Sequence, residues 1–252
     1  MDTVKGRARM LFLLYEDNFM TDDDNLDILK NSELLKGLKD DEIQQIYEFV
    51  MPSERFYYKN QIIINQGEPV SKIGIVKIGT VISMKYHFNG DAQILRIYKR
   101  GEVLSLDAVN TTFLTSPVAL LSQSDCSILF IPYRKIFEVK ELSFAARERV
   151  LFNNSEILSN ELVRFMYKID VLSKRTLQDR VLTYLSIIRE KKGKDSFDIS
   201  MNQEEFAQYL CVNRSVLSKE LNRMRSERQM DYTKNRYTLL HEHMGEGKKA
   251  RE

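Results

Sequence analysis

Two short helical segments with only two uncommitted residues between them constrain this chain more than any other feature. Asn202 precedes Gln203-Glu204-Glu205-Phe206-Ala207-Gln208-Tyr209-Leu210 and stands to Glu205 at the N-cap to N3 spacing of a capping box. Asn213 then caps Arg214 to Met224, where Leu217, Leu221 and Met224 recur at i, i+4, i+7 and face inward. Cys211 and Val212 alone connect the two, which forces the crossed pair of a helix-turn-helix. Arg214, Ser215, Ser218, Lys219 and Asn222 are left facing outward. Arg and Lys suit guanine edges and phosphates, and small hydroxyls let a helix approach bases closely. Downstream, Gln229-Met230-Asp231-Tyr232 and Arg236-Tyr237-Thr238-Leu239-Leu240 read as strands around a polar turn. In this wing Lys234 and Arg236, with Gln203 on the first helix, are expected on backbone phosphates. The alternative is an αα-hairpin inside a helical protein, its charged face simply solvated.

At 252 residues the chain has room for two modest domains, each with its own core. No apolar run approaches the ~18 residues of a membrane span. Met10 to Tyr15 is far shorter and no small-residue cleavage site follows it, so neither a membrane partner nor a secretory signal is expected. Two cysteines, Cys126 and Cys211, make no disulfide framework, and the expected location is cytoplasmic. The formal net charge of +2 is unevenly spread: from Ser173 onward lie 17 of the 38 Lys and Arg but only 12 of the 36 Asp and Glu. The basic part is the part with the helix-turn-helix, as a nucleic-acid-binding segment requires.

Between Ile62 and Ile131 short β-rich runs alternate with Gly67, Gly79, Asn89-Gly90 and Gly101, a spacing that implies an antiparallel roll or barrel. Asn89-Gly90 is the strongest hairpin signal among them. Beyond Pro132, Leu151, Ser155, Leu158, Leu162, Phe165, Ile169 and Leu172 form an a/d series broken only by Ser155. Such a seam predicts a partner helix, most simply its own copy across a two-fold axis. A core helix lying on the roll of its own chain is the alternative.

This order of parts resembles the Crp/Fnr family of bacterial transcription regulators over about Asn31 to Leu240. The resemblance is carried by Ser32-Glu33-Leu34-Leu35-Lys36-Gly37-Leu38, the four glycine turns, Gly101-Glu102-Val103-Leu104, Asp179-Arg180-Val181-Leu182, and Asn202 to Glu220. It implies an α+β fold: an antiparallel β-roll (cupin-like jelly roll) sensor domain, a long dimerisation helix and a C-terminal winged helix-turn-helix. The implied divisions are an N-terminal extension (1–30), the cyclic-nucleotide-binding-like roll (31–142), the dimerisation helix (143–173) and the DNA-binding domain (174–252). It also implies a homodimer on a palindromic double-stranded DNA operator, with RNA polymerase as a further partner. Arg214 falls where the family's cyclic-AMP receptor protein has its guanine-reading arginine. Ser218 and Lys219 match the Ser-Arg pair of Fnr-type readers, with Lys for Arg.

The departures concern the signal. Cyclic-AMP-binding members carry Gly-Glu for the ribose and Arg-Ser for the cyclic phosphate; the aligned positions here read Ser105-Leu106 and Ser116-Pro117. Losing the arginine alone removes a charge-assisted contact of about 1.5–3 kcal/mol. The helix positions that offer hydroxyls to cyclic AMP are Phe165 and Met166. Ser105, Leu106, Ser116, Phe165 and Met166 therefore outline a pocket for an apolar or aromatic effector, or one that is filled.

No cofactor or metal is expected. Two cysteines cannot hold an iron-sulfur cluster, His87 reads as a solvated loop residue, and His241-Glu242-His243 lacks further ligands. Without a nucleophile elbow or phosphate-cradling loop, an enzyme is not expected. Cys126 reads as core filling, and Cys211 stands where the helix-turn-helix usually has its turn glycine, where oxidation would disturb the reader. The rival to an operator-binding regulator is a structural or regulatory dimer that uses the same roll without reading DNA. Residues 1–20 read as an extension with no role in the fold, Met20 being a plausible alternative start.

Overall fold

The structure is a computed structural model that describes residues 22–86 and 92–240. The extension 1–20, His87, the Asn89-Gly90 turn and His241-Glu242-His243 lie outside the described residues. The chain divides into two compact units, one comprising Met1–Ser83 and Arg96–Leu158, the other Met84–Leu95 and Ser159–Glu252.

The roll opens with helices α1 (Asp22–Lys30) and α2 (Asp40–Val50) and continues into strands β1 (Ser53–Tyr57), β2 (Ile62–Ile64), β3 (Ile73–Ile78), β4 (Val81–Tyr86), β5 (Ala92–Tyr98) and β6 (Val103–Leu104); the end of β4 from Met84 and the start of β5 up to Leu95 are assigned to the second unit. A single helical turn α3 (Leu106–Val109), strands β7 (Ala119–Ser122) and β8 (Cys126–Ile131) and a 3-10 turn (Tyr133–Glu138) complete it. The strands form two four-stranded sheets in the orders β1-β8-β3-β6 and β2-β7-β4-β5, the antiparallel roll that the glycine spacing predicts. Ile73, Ile75, Val76, Ile128, Leu129 and Ile131 are wholly buried. Both faces of β3 and β8 are covered, so these strands read as continuous apolar runs rather than alternating ones. Gly79 holds a positive φ of 83°, and a Cβ there would fall 2.3 Å from the Asp125 carbonyl oxygen, so only glycine closes this turn. β1 escapes sequence reading because Ser-Glu-Arg-Phe-Tyr has no alternation. It is held by its register with β8 and by Lys77, whose buried ammonium meets Glu54 at 3.1 Å and Asn25 at 2.7 Å.

The long helix α4 (Phe144–Leu172) is continuous, and the two units divide it at Leu158. Its first half realises the alternative of a helix on its own roll: Ala146, Val150 and Ile157 are buried in the core, and the Asn153 amide donates to the carbonyls of Leu34 and Lys36, both at 2.8 Å. Leu158, an expected seam residue, is partly buried against that core. Leu151, Leu162, Phe165 and Ile169 of the same expected seam are exposed in the single chain, and Leu172 is half-buried.

In the second unit, α5 (Leu177–Lys192) starts at Thr176, whose hydroxyl accepts from the Asp179 amide, and ends at Gly193 in the left-handed conformation. Then come β9 (Ser196–Asp198), α6 (Gln203–Tyr209), α7 (Arg214–Ser226), β10 (Met230–Thr233) and β11 (Arg236–Leu239). The hairpin is the expected wing, extended by β9 into a three-stranded sheet of order β10-β11-β9. Aromatic rings tie this unit together. Tyr184 lies 5.0 Å from both Phe206 and Tyr209, Phe206 meets Tyr237 edge-on, and Tyr237 stacks on Tyr232.

Candidate nucleic-acid interface

Three local features hold the reader in place. The capping box forms as its spacing predicts, with the Asn202 side chain accepting from the Glu205 amide and Glu205 accepting from the Asn202 amide. The turn is closed by Cys211 at a positive φ of 59°, which explains why its position favours glycine, and by Val212 N–H donating to the Ala207 carbonyl. Leu217, Leu221 and Met224 are wholly buried, as their spacing requires. One detail differs. Asn213 occupies the N-cap of α7, but its side chain accepts no capping hydrogen bond and stays exposed.

Arg214, Ser218, Gln203 and Lys234, four of the expected DNA-binding residues, line one open cleft of about 600 Å³ with Asn202 and Tyr232. It lies where the starts of α6 and α7 meet the turn of the wing. Lys234 sits at the tip of that turn with a positive φ of 57°. Ser215 and Lys219, also expected to touch DNA, are exposed on α7 outside the cleft lining. Among the described residues Arg214, Lys219 and Lys234 have no acidic partner, so their charge is available to an anion.

Arg236 is different. Its guanidinium is held two-pronged by Asp198, Nε and Nη2 at 3.1 and 2.8 Å, an ion pair that lowers the Asp198 pKa and raises that of Arg236. Part of the cation expected on phosphate is thus already engaged by β9, a strand that sequence reading did not find. Reading the sequence also missed the tie between wing and reader: the Tyr232 hydroxyl meets Asn222 Oδ1 at 3.1 Å, and the Arg225 guanidinium lies 4.2 Å from the Tyr232 ring centre. These partners are seven to ten residues apart across a strand boundary, where no periodicity announces them.

The expected effector residues fall in both units. Ser105, in the left-handed conformation, and Leu106, which begins α3, are buried in the first unit. Ser116, also buried there, donates its hydroxyl to the Val118 carbonyl at 2.7 Å. The Ser105 hydroxyl is buried without a hydrogen-bond partner among the described residues. Phe165 and Met166 belong to the second unit, where they are 41% and 61% exposed. Cys126 is core filling as expected, and burial pushes its thiol up to about 11.

Comparison with known proteins agrees with these parts. Residues 54–141 match the cyclic nucleotide-binding domain and residues 179–244 the Crp-like helix-turn-helix domain. Electron transport regulator A of Shewanella oneidensis is 22% identical over 208 residues, covering 81% of this chain and 79% of that protein. The fumarate and nitrate reduction regulatory protein of Vibrio cholerae is 22% identical over 188 residues, covering 73% and 71%. Among solved structures, the c-di-GMP responsive global regulator CLP of Xanthomonas campestris shares the fold with a TM-score of 0.64 at 16% identity, covering 80% of this chain and 99% of that one. A CooA mutant from Carboxydothermus hydrogenoformans does so with 0.63 at 18%, covering 84% and 89%. Roll and winged helix-turn-helix together define a transcription regulator. The chain belongs to the Crp/Fnr family. No described helix is long and apolar enough to cross a membrane.

Proposed function

We propose that this protein acts as a cytoplasmic homodimer that recognises a two-fold symmetric DNA operator and regulates transcription there with RNA polymerase, without cyclic AMP as its signal. The observation that carries this reading is the cleft in which Arg214, Ser218, Gln203 and the wing's Lys234 converge; Glu205 lines it too, but among the described residues neither cation is in an ion pair. Arg214, Ser215, Ser218 and Lys219 then meet base edges, while Gln203, Asn213, Lys234 and the remaining donor capacity of Arg236 meet phosphates. Leu151, Leu158, Leu162, Phe165, Ile169 and Leu172 form the seam between two copies of α4. The large exposed side chains along this helix, Ile169 at 68% and Leu162 at 62% among them, need cover that the single chain does not supply. A two-fold axis along that seam sets two readers about one helical turn, ~34 Å, apart.

Cyclic AMP and cyclic GMP bound in the usual way would lack their chief contacts on this reading. Leu106 and Ser116 stand where a ribose acceptor and a phosphate-binding arginine are needed, and the Ser116 hydroxyl is already committed to Val118. Any effector held at Leu106 in the roll is apolar, aromatic or weakly polar.

The test is selection of duplexes from a random pool by the full chain, followed by binding to the selected site. Arg214→Ala should relax base preference at one position of each half-site at a cost of about 1–3 kcal/mol. Lys234→Ala should weaken all sequences alike and reduce the salt slope by about one unit. Failure to select any sequence would favour the rival reading, a dimer that does not read DNA.

A further inference from the structure

The wing constrains a side chain on the reading face of α7. Asn222 is exposed one turn beyond Ser218, on the outward side of a helix whose inner face is Leu217, Leu221 and Met224. Its amide oxygen takes the Tyr232 hydroxyl at 3.1 Å, and its amide nitrogen has no partner among the described residues. Tyr232 is itself fixed. The Arg225 guanidinium lies 4.2 Å from its ring centre, Tyr237 stacks on it with planes 14° apart, and the Tyr232 carbonyl accepts from Arg225 Nη2. Arg225 is in turn anchored to Asp231 at 2.8 Å.

An unconstrained asparagine in the major groove favours adenine, since its amide accepts from N6 and donates to N7 at once. That pairing needs the amide oxygen turned toward the base. When a tyrosine hydroxyl holds the oxygen on the wing side, the face turned outward is the NH₂ group, which can only donate. Guanine offers two acceptors there, O6 and N7, whereas adenine offers N7 beside a repelling N6 donor. We infer that Tyr232 locks Asn222 as a hydrogen-bond donor, and that Asn222 so held selects guanine over adenine at one base pair of each half-site. Tyr232 is the positioning residue and Asn222 the reader. The inference rests on the reading of α7 as the DNA-contacting helix.

The experiment compares wild type, Asn222→Ala, Tyr232→Phe, the double variant and Arg214→Ala, each as the full chain, by random-pool selection and by competition between duplexes that differ at one symmetric position. Wild type should select guanine at a position that Arg214→Ala leaves in place. Asn222→Ala should flatten that position, with a loss of discrimination of ~5- to 100-fold. Tyr232→Phe keeps the ring and its contacts but releases the amide oxygen, so preference at the same position should move toward adenine. The double variant should behave as Asn222→Ala alone, since the hydroxyl acts only through Asn222.

If Asn222→Ala weakens all duplexes equally or none, Asn222 does not read a base and the inference fails, while Arg214→Ala still reports on the reader. If Tyr232→Phe keeps the guanine preference intact, the lock is absent. If Arg214→Ala also leaves every base preference unchanged, α7 is not the reader and both readings fall together.

Discussion

Lys168 Nζ lies 4.1 Å from the centre of the Tyr209 ring and donates to the Ile94 carbonyl, joining α4, the last residue of α6 and strand β5 within the second unit. Lys168 is only 5% exposed and has no carboxylate partner among the described residues. Burial is the dominant influence on it and lowers its pKa to about 8, with attraction to the Cys211 sulfur opposing. The Tyr209 ring also favours the ammonium form.

Stability should therefore depend on pH through Lys168. Its folded pKa lies below the unfolded value of about 10.4, so between roughly pH 8 and 10 the unfolded chain holds a proton that the native protein has released, and this group's contribution rises with pH. Below pH 8 both states are protonated and the burial cost is constant. Cys126, held up at about 11, acts in the opposite sense over part of that range, and the buried Tyr184, Tyr209 and Tyr237, all raised, do so above pH 10. The measurement is thus a difference, denaturant unfolding of wild type minus Lys168→Met at pH 7 and pH 10. The difference should shift in favour of wild type by on the order of 2–3 kcal/mol across this interval. A flat difference would mean that Lys168 stays charged throughout.

The Asp198–Arg236 pair yields a prediction of opposite sign to the usual loss-of-contact variant. Asp198 brings a negative charge to the wing and occupies two donors of a cation proposed to meet phosphate. Asp198→Asn should strengthen binding to every duplex and steepen the salt dependence by about 0.9 in log–log slope, one additional phosphate contact. Salt titrations by fluorescence anisotropy measure both. A weaker, less salt-dependent variant would show that Asp198 aligns Arg236 for its contact rather than competing with DNA for it.

The helix-turn-helix was the most legible part of the chain because its determinants are local. The capping residues Asn202 and Glu205, the inward series at Leu217, Leu221 and Met224 and the short connection each act within one or two turns. The roll's order was legible from glycines that only a turn demands, Gly79 above all. What escaped was set by long-range pairing. β1 and β9 have too few residues of alternation to stand out, and β9 decides how much of Arg236 is free. The long helix carries two apolar faces, one toward Val150 and Ile157 and one through Leu162 and Ile169. An a/d count found only the second, because Asn153 interrupts the first and its burial is satisfied by carbonyls more than a hundred residues away.

Dimerisation is tested at Leu162, in the middle of the exposed series. Leu162→Asp would put two carboxylates into the proposed seam, each costing several kcal/mol unless protonated. Because Leu162 is exposed in the single chain, the fold itself should survive, and circular dichroism should look like wild type. Sedimentation should then show a monomer, and affinity for a symmetric operator should fall with it. A variant that remains dimeric at micromolar concentration places the interface elsewhere.

The final prediction concerns the signal. With Leu106 buried and the Ser116 hydroxyl donated to Val118, the roll supplies neither an acceptor for a ribose nor a cation for a cyclic phosphate at those positions. Restoring only one contact does not suffice, since an arginine at Ser116 would need space within a site where serine is 3% exposed and its backbone N–H is bonded to the Glu68 carbonyl. Calorimetry of the wild-type protein with millimolar cyclic AMP should show no saturable heat. Binding tighter than ~100 µM, about 5.5 kcal/mol, would require contacts other than those at Leu106 and Ser116. An apolar or aromatic effector that favours the DNA-competent state must raise operator affinity and melting temperature together, since a ligand shifts an equilibrium only by its differential affinity for the two states. A compound that raises the melting temperature while leaving operator affinity unchanged binds the protein without being its signal.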